Sequence, residues 1–116
     1  MEDKKLMMTM LFDFFGELLT DKQREYFDLY YNEDMSLSEI AENAGISRQG
    51  VRDMLVRAEA ALSDYEAKTG VVARFLTVRR TVDELEALLV RAEGFASGEC
   101  AEIISDAKLK LEALKG

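Results

Sequence analysis

The chain has 116 residues, 48% of them hydrophobic, which is enough to build the core of one domain. It contains no histidine and a single cysteine, Cys100, which excludes a zinc site, a histidine-based catalytic pair and an internal disulfide, and fits a reducing cytoplasm. The formal net charge of −8 weighs against a dedicated DNA-binding protein, because phosphate neutralisation supplies most non-specific DNA affinity. The sequence shows no signal-peptide pattern, and no apolar run approaches the ~18 residues that span a bilayer, so no membrane insertion is expected.

The first predicted element is an unusually apolar helix over residues 4–19. Seven of its positions form one wide apolar stripe, and three more extend that stripe almost around the helix. The stripe residues are Leu6, Met7, Met10, Leu11, Phe14, Phe15 and Leu18, and the three others are Met8, Phe12 and Leu19. A helix that is apolar on nearly all sides lies at the centre of a core or at an interface with a second subunit. We therefore expect a homodimer that buries part of this helix.

Capping residues mark where the second and third helices begin. Thr20 followed by Gln23 is a capping box, so the second helix starts there. The polar residues 32–34 end this helix, and either Ser36 or Ser38 caps a short third one. The inner face of the second helix is expected to consist of Tyr26, Phe27, Tyr30 and Tyr31.

Residues 36–55 carry the most specific pattern in the chain, that of a helix-turn-helix. Ala41 is small where two helices approach closely, and Gly45 lies where the chain turns through a backbone conformation that is costly for residues with a Cβ. Ile46 is expected to fill the corner, and Ser47 to cap the next helix. The inner faces of the two helices are completed by Ile40, Ala44, Val51 and Leu55. The second helix of such a unit is usually presented to a nucleic-acid groove.

The fourth helix is predicted to continue well beyond the helix-turn-helix. Its apolar residues follow alternating steps of four and three, which is the pattern of a coiled-coil seam: Val51, Leu55, Ala58, Leu62 and Tyr65. About 20 residues make this helix roughly 30 Å long. Because the seam continues past the helix-turn-helix, we expect it to contribute to the dimer interface as well.

Two more helices follow a break at Gly70 and are expected to form an antiparallel hairpin. The fifth helix has an apolar face made of Phe75, Val78, Val82, Leu85, Leu89 and Ala92. A tight connection follows at residues 94–98, with Ser97 as a candidate cap, and the last helix is expected to bury Cys100, Ile103, Ile104, Ala107, Leu111 and Leu114. The sequence thus predicts an all-α protein, with a helix-turn-helix domain in residues 1–70. A helical hairpin in 71–116 then packs on the fourth helix or on a partner subunit.

Residues 19–62 resemble region 4 of bacterial sigma factors, in which a capped helix precedes a helix-turn-helix. The whole chain is more similar to the YlxM family, small sigma-region-4-like proteins associated with the bacterial signal recognition particle. The distinguishing residues are MLFDFFGELLTDKQ at 10–23, YYNEDMSLSEIAE at 30–42 and SRQGVRD at 47–53. The resemblance is specific to about residue 75. It implies a non-enzymatic accessory or regulatory role in the signal recognition particle pathway, with the RNA or protein of that particle as partner.

The start of the fourth helix is the first candidate site, and its ligand would be nucleic acid. Arginine pairs with guanine edges and glutamine with adenine, and both side chains also reach phosphate. The alternative is that the arginines form a solvated face balanced by Asp53 and Glu59. Residues 20–60 carry five basic and nine acidic side chains, which favours RNA over sequence-specific DNA. The candidate residues are Ser47, Arg48, Gln49, Arg52 and Arg57.

A second basic cluster lies on the fifth helix and would meet RNA phosphate or an acidic protein: Arg74, Arg79 and Arg80. The favoured alternative is that Arg79 pairs with Asp83 and Arg80 with Glu84 along the helix, at only about 0.2–0.5 kcal/mol per pair. No cofactor is indicated, and the exposed carboxylates have no nucleophile beside them. Cys100 is expected to be packed rather than reactive.

Two classes of function remain after these exclusions. The first is an accessory protein of the signal recognition particle, and the second is a DNA-binding transcriptional regulator that uses the helix-turn-helix conventionally. The acidic balance and the long fourth helix favour the first. A weaker third alternative is a protein-interaction module that keeps the helix-turn-helix only as a scaffold.

Overall fold

The computed structural model describes residues 2–115, and all regular elements in that range are helical. This confirms the predicted all-α class, with a helix-turn-helix followed by two long helices. The helices are α1 (Glu2–Phe15), α2 (Asp21–Tyr31), α3 (Leu37–Ala44), α4 (Arg48–Thr69), α5 (Val71–Glu93) and α6 (Glu99–Lys115), with a short 3₁₀ turn at Gly16–Leu18. They form two compact units, residues 1–72 and residues 73–116.

The core of the first unit is built around the apolar side of α4. Helices α1, α2 and α3 all pack on this side, and Val51, Ala58 and Leu62 are fully buried there. The α4 seam that suggested a coiled coil is therefore covered by the chain's own helices. That seam is an internal core and is not left over for a second subunit.

Aromatic side chains from α1 and α2 fill the other half of this core. Phe27 is fully buried and stacks between two other aromatic rings. Its ring centroid lies 4.6 Å from that of Phe12 and 4.4 Å from that of Tyr31. Burying a side chain of this size contributes about 1.5–3 kcal/mol. The 3.6-residue repeat of α2 places Tyr26, Phe27 and Tyr31 on its buried face, as predicted, whereas Tyr30, which was predicted for the same face, is exposed.

Only one side of α1 takes part in the core. Its buried residues follow steps of three and four toward α4, namely Met8, Leu11, Phe15 and Leu19. The predicted stripe was centred too far around the helix, because several of its members face solvent: Leu6 is 64% exposed and Leu18 is 60% exposed, and Met7 and Phe14 are also exposed. The apolar circumference of α1 is thus wider than the part that one small core can cover.

The predicted caps fix where α2 and α3 begin. Gln23 N donates to Thr20 Oγ1 over 3.1 Å and Thr20 N donates to Gln23 Oε1 over 3.0 Å. The same reciprocal box joins Ser36 and Glu39, so Ser36 rather than Ser38 caps α3. Both boxes satisfy amide groups that a helix start leaves without partners.

In the second unit α5 and α6 run antiparallel. Glu93 pairs with Lys108 over 2.9 Å, and Glu86 pairs with Lys115 over 2.9 Å. Glu86 comes seven residues before Glu93 on α5, whereas its partner Lys115 comes seven residues after Lys108 on α6. The two helices therefore run in opposite directions. The predicted hairpin therefore has a charged inner seam.

The burial predicted for α6 is wrong in part. Cys100 is exposed, as are Ile103 at 61% and Leu114 at 67%, while Ile104, Ala107 and Leu111 are half-buried. The helix begins at Glu99, so Ser97 is not the residue that immediately precedes it. One neighbouring helix covers a single strip of α6, and the rest of its apolar surface stays in contact with solvent.

Candidate nucleic-acid interface

The turn between α3 and α4 has the geometry of a helix-turn-helix. Gly45 adopts the left-handed conformation with φ 71°. It ends α3 with a bond from Gly45 N to Ala41 O of 2.9 Å. A residue with a Cβ pays about 1–2 kcal/mol in that conformation, which is the reason for glycine here. The predicted close approach is confirmed at Ile40 and Ala41, which are both buried.

Two of the residues predicted for the inner side of this unit lie outside it. Ala44 is exposed, and Ile46 is 42% exposed rather than filling the corner. A Cβ placed on Gly50 would lie 3.7 Å from Ile46 Cδ1, so Ile46 covers the first turn of α4 from outside.

Ser47 is the N-cap of α4, and its hydroxyl is used for that purpose. Ser47 Oγ accepts a hydrogen bond from Gly50 N over 3.0 Å. Just beyond it, three of the predicted residues and Leu37 of α3 line a shallow hollow of about 410 Å³, the three being Arg48, Gln49 and Arg52. Leu37 was not predicted for this site, although its position at the start of α3 places it beside the start of α4.

The arginines of α4 are not balanced by the two acids proposed for that role. Asp53 Oδ1 accepts from Gln49 Nε2 over 2.9 Å, while Glu59 binds Tyr31 and Lys4. Among the residues that the structure describes, no carboxylate lies within 4.0 Å of Arg48, Arg52 or Arg57. The guanidinium groups of all three are exposed and available to an outside anion.

Arg57 is separated from the other members of the predicted site. At 100° per residue it lies about 140° around α4 from Arg52, and more than two turns beyond Arg48. It does not line the hollow with Arg48, Gln49 and Arg52. The structure thus brings together three of the five predicted residues, uses Ser47 as their cap and places Arg57 on another side of the helix.

A partly buried polar contact joins α4 to α2, three turns beyond Arg48. Tyr31 Oη donates to Glu59 Oε2 over 2.6 Å, and Lys4 Nζ lies 3.4 Å from Glu59 Oε1. Burial, followed by the bond to Glu59, raises the pKa of Tyr31 well above its ordinary value of 10.0. Glu59 is therefore committed to the interior of the unit.

The second basic cluster also lacks the pairing proposed for it. Asp83 lies 3.6 Å from Lys115 of α6. Within the described part of the chain, neither Arg79 nor Arg80 has a carboxylate within 4.0 Å.

No helix in residues 2–115 has the length and apolar character needed to cross a membrane.

The helix-turn-helix geometry is matched by a family comparison. Residues 2–97 match the model of the UPF0122 family, described as YlxM/p13-like helix-turn-helix proteins. The chain belongs to the UPF0122 family. The UPF0122 protein of Thermoanaerobacter sp. (strain X514) is 44% identical over 115 residues, which are 98% of each chain.

Other UPF0122 relatives are more similar over shorter stretches. The protein of Caldanaerobacter subterraneus subsp. tengcongensis is 51% identical over 86 residues, 74% of each chain. That of Halalkalibacterium halodurans is 53% identical over 75 residues, 65% of this chain and 69% of its own length. This UPF0122 chain therefore shares with its relatives a fold of the kind that binds nucleic acid.

Proposed function

We propose that the start of α4 contacts nucleic-acid phosphate, and that this UPF0122 protein is a non-enzymatic accessory or regulatory protein of the signal recognition particle pathway. The observation that carries the nucleic-acid role is the pair of exposed arginines without carboxylate partners at the start of the second helix of the helix-turn-helix, Arg48 and Arg52. An arginine without an ion pair loses no existing salt bridge when it binds a phosphate.

The surroundings of these arginines favour a limited contact rather than broad binding to any duplex. Residues 1–72 carry eight basic and fifteen acidic side chains, so most of this unit repels phosphate. The local basic patch lies at the exposed start of α4, where Gln49 is held by Asp53 at 2.9 Å. A structured RNA that presents a few phosphates to this patch fits better than a long uniform duplex.

The assignment to the signal recognition particle pathway is supported by the resemblance at residues 10–23, 30–42 and 47–53. The partners it implies are the RNA or the protein of that particle. A second candidate function is DNA-binding transcriptional regulation. The observation that favours this second function is the exposed start of α4 behind Ser47, which is the part of such a unit that enters a major groove.

We also propose that the protein acts as a homodimer. The arginine patch on each chain is small, and two chains would present it twice to one nucleic acid. Part of α1 remains exposed and apolar, as a surface that meets another subunit would be. The α4 seam, in contrast, is already covered within the chain.

The nucleic-acid site is tested with two double variants of equal charge change. Arg48→Glu with Arg52→Glu removes the proposed contact, and Arg79→Glu with Arg80→Glu changes the same charge on α5. Binding to signal recognition particle RNA is measured by fluorescence anisotropy at about 50 and 200 mM salt. We expect the first double variant to lose roughly a hundredfold in affinity, at about 1.5–3 kcal/mol per charged contact, and the second to change little.

The outcomes separate the candidate functions. If only the α5 variant loses affinity, the site lies on α5. If a specific DNA duplex binds tightly and particle RNA does not, the transcription-factor function is correct and the pathway assignment is wrong. Circular dichroism of both variants checks that the helices remain intact, as expected because all four arginines are exposed.

A further inference from the structure

The helical hairpin of residues 73–115 does not build a core of its own. Val82 is the one hydrophobic residue in this range of the described chain that is buried. Phe95 at the tip of the hairpin is 90% exposed, and nine other large apolar residues on the two helices are 37–67% exposed. Two helices bury a strip between them but leave their outer apolar surface in water, so a stable arrangement requires another layer.

The inner seam of the hairpin defines which sides of α5 and α6 remain available. Glu86 and Glu93 point from α5 toward Lys115 and Lys108 of α6. At 100° per residue, Val78 and Leu85 lie to one side of this seam on α5. Because α6 runs in the opposite direction, the same calculation places Ile103 and Leu114 on the same side of the hairpin.

This side, which we call the open face, is almost wholly apolar. It consists of Val78, Leu85, Leu88, Ile103 and Leu114, with Phe95 at its end; these six residues are 44–90% exposed. At roughly 150–200 Å² for each fully exposed side chain they present about 550–730 Å². A standard protein interface takes about 800 Å² from each partner. Leu109 lies on the opposite side and is not part of the open face.

Charge is distributed unevenly between the two ends of the hairpin. The two ion pairs place residues 108–115 of α6 level with residues 86–93 of α5, so the basic half of the hairpin is residues 73–85 of α5 alone. This half carries three basic and two acidic side chains, while the tip half, residues 86–115, carries four basic and six acidic ones. Two hairpins that pack in the same direction would bring like charges together. Two hairpins that pack in opposite directions place each basic half beside the acidic tip of the other.

We propose that the open face packs antiparallel against the open face of a second copy of this chain, forming a helical bundle in which the two copies of α5 lie side by side. Val78, Leu85 and Ala92 are spaced by seven residues, so a two-fold axis at Leu85 sets Val78 against Ala92 of the second copy. The same axis brings Arg74 of one chain to the tip of the other, beside its Glu99. This interface goes beyond the nucleic-acid role and does not require it.

The first experiment measures the oligomeric state of the full-length protein by sedimentation equilibrium at micromolar concentration. Leu85→Glu sets two carboxylates against each other at the axis, and we expect the dissociation constant of the dimer to rise by roughly a hundredfold or more. Leu109→Glu makes the same change on the other side of the hairpin and is expected to leave the dimer unchanged. Leu6→Glu tests the exposed side of α1 in the same way.

The second experiment uses charge and does not disturb the apolar face. Arg74→Glu alone and Glu99→Lys alone should each weaken the dimer by roughly tenfold, since each change affects two symmetric contacts. The variant carrying both substitutions restores opposite charges at both contacts and should recover the dimer. This recovery distinguishes antiparallel packing from a general effect of charge. The charge experiment remains informative even if the Leu85→Glu variant fails to fold.

Three results would overturn the proposed bundle. The first is a wild-type protein that is monomeric at micromolar concentration. The second is a dimer that is lost in Leu6→Glu and kept in Leu85→Glu, which would place the interface on α1. The third is additive weakening in the Arg74→Glu, Glu99→Lys double variant. The bundle rests on the homodimer proposed above, and a monomeric protein would overturn both, whereas none of these readouts involves RNA or DNA, so the bundle and the nucleic-acid role can fail separately.

Discussion

The contact between Tyr31 and Glu59 shows how a single polar pair decides which charges remain available for function. The 2.6 Å bond from Tyr31 Oη occupies one oxygen of Glu59, and Lys4 lies near the other. Glu59 was a candidate partner for the arginines of α4, and this arrangement removes it. The bond between Asp53 and Gln49 likewise occupies the second candidate. Neither acid forms an ion pair with an arginine of α4 within the described residues.

The stability of the fold should depend on the protonation of Tyr31. Burial and the bond to Glu59 raise the pKa of Tyr31 above its ordinary value of 10.0, so the folded state holds this proton more tightly than the unfolded state. The stabilisation is complete below pH 10 and is lost as pH rises from there toward the raised pKa, at up to about 1.4 kcal/mol per pH unit.

The Tyr31→Phe variant isolates this effect in urea unfolding. We expect it to lose about 1 kcal/mol at pH 7, from the deleted hydrogen bond, and to show a smaller decline in unfolding free energy above pH 10. Lysines also lose their charge in that range, so the comparison is the difference between the wild-type and variant curves. Parallel curves from pH 9 to 11 would show that Tyr31 does not titrate with folding.

At the scale of single elements, the parts of the fold predicted from sequence are those set by local chemistry. Thr20 with Gln23, Ser36 and Ser47 mark helix starts because their side chains bond amides three residues ahead. Gly45 and Gly70 mark helix ends because both require positive φ. These signals depend on neighbours within four residues, so a linear pattern contains all of the relevant information.

The faces of α1 and α6 were predicted less well because burial depends on distant neighbours. Both helices are apolar around much of their circumference, and periodicity alone does not tell which apolar strip meets another helix. In α1 the strip of Leu11 and Phe15 is covered and Leu6 and Leu18 are not. At the candidate site, residue types on α4 identified Arg48, Gln49 and Arg52. The role of Leu37 depends on the packing of α3 beside α4.

The turn that positions the candidate site should tolerate asparagine better than alanine at Gly45. Gly45 has φ 71°, and a Cβ there would have no neighbour within 4 Å, so the cost of substitution comes from the backbone alone. We expect Gly45→Ala to lower the free energy of unfolding by about 1–2 kcal/mol, and Gly45→Asn to lower it by less. Urea unfolding measures both. Equal losses would indicate that the turn is remodelled rather than strained.

At the scale of the whole molecule, acidic character and a small basic patch have to be reconciled. The chain carries a net charge of −8, and each helix-turn-helix presents two arginines without carboxylate partners at the start of α4. One copy that neutralises two phosphates would show a slope of log affinity against log salt of about −1.4 to −1.8. Two copies bound to one RNA would show a slope of about −2.8 to −3.6. The proposed bundle therefore has a measurable consequence for nucleic-acid binding.

The slope should follow the oligomeric state. In anisotropy titrations with signal recognition particle RNA, we expect the wild-type slope to be about twice that of the Leu85→Glu variant, because the variant keeps all arginines of α4 but presents them singly. The Leu109→Glu variant should retain the wild-type slope. If Leu85→Glu is monomeric and the two slopes are nevertheless equal, only one of the two arginine patches of the wild-type dimer contacts RNA at a time. The second arginine patch would then be free for another segment of the RNA or for another molecule.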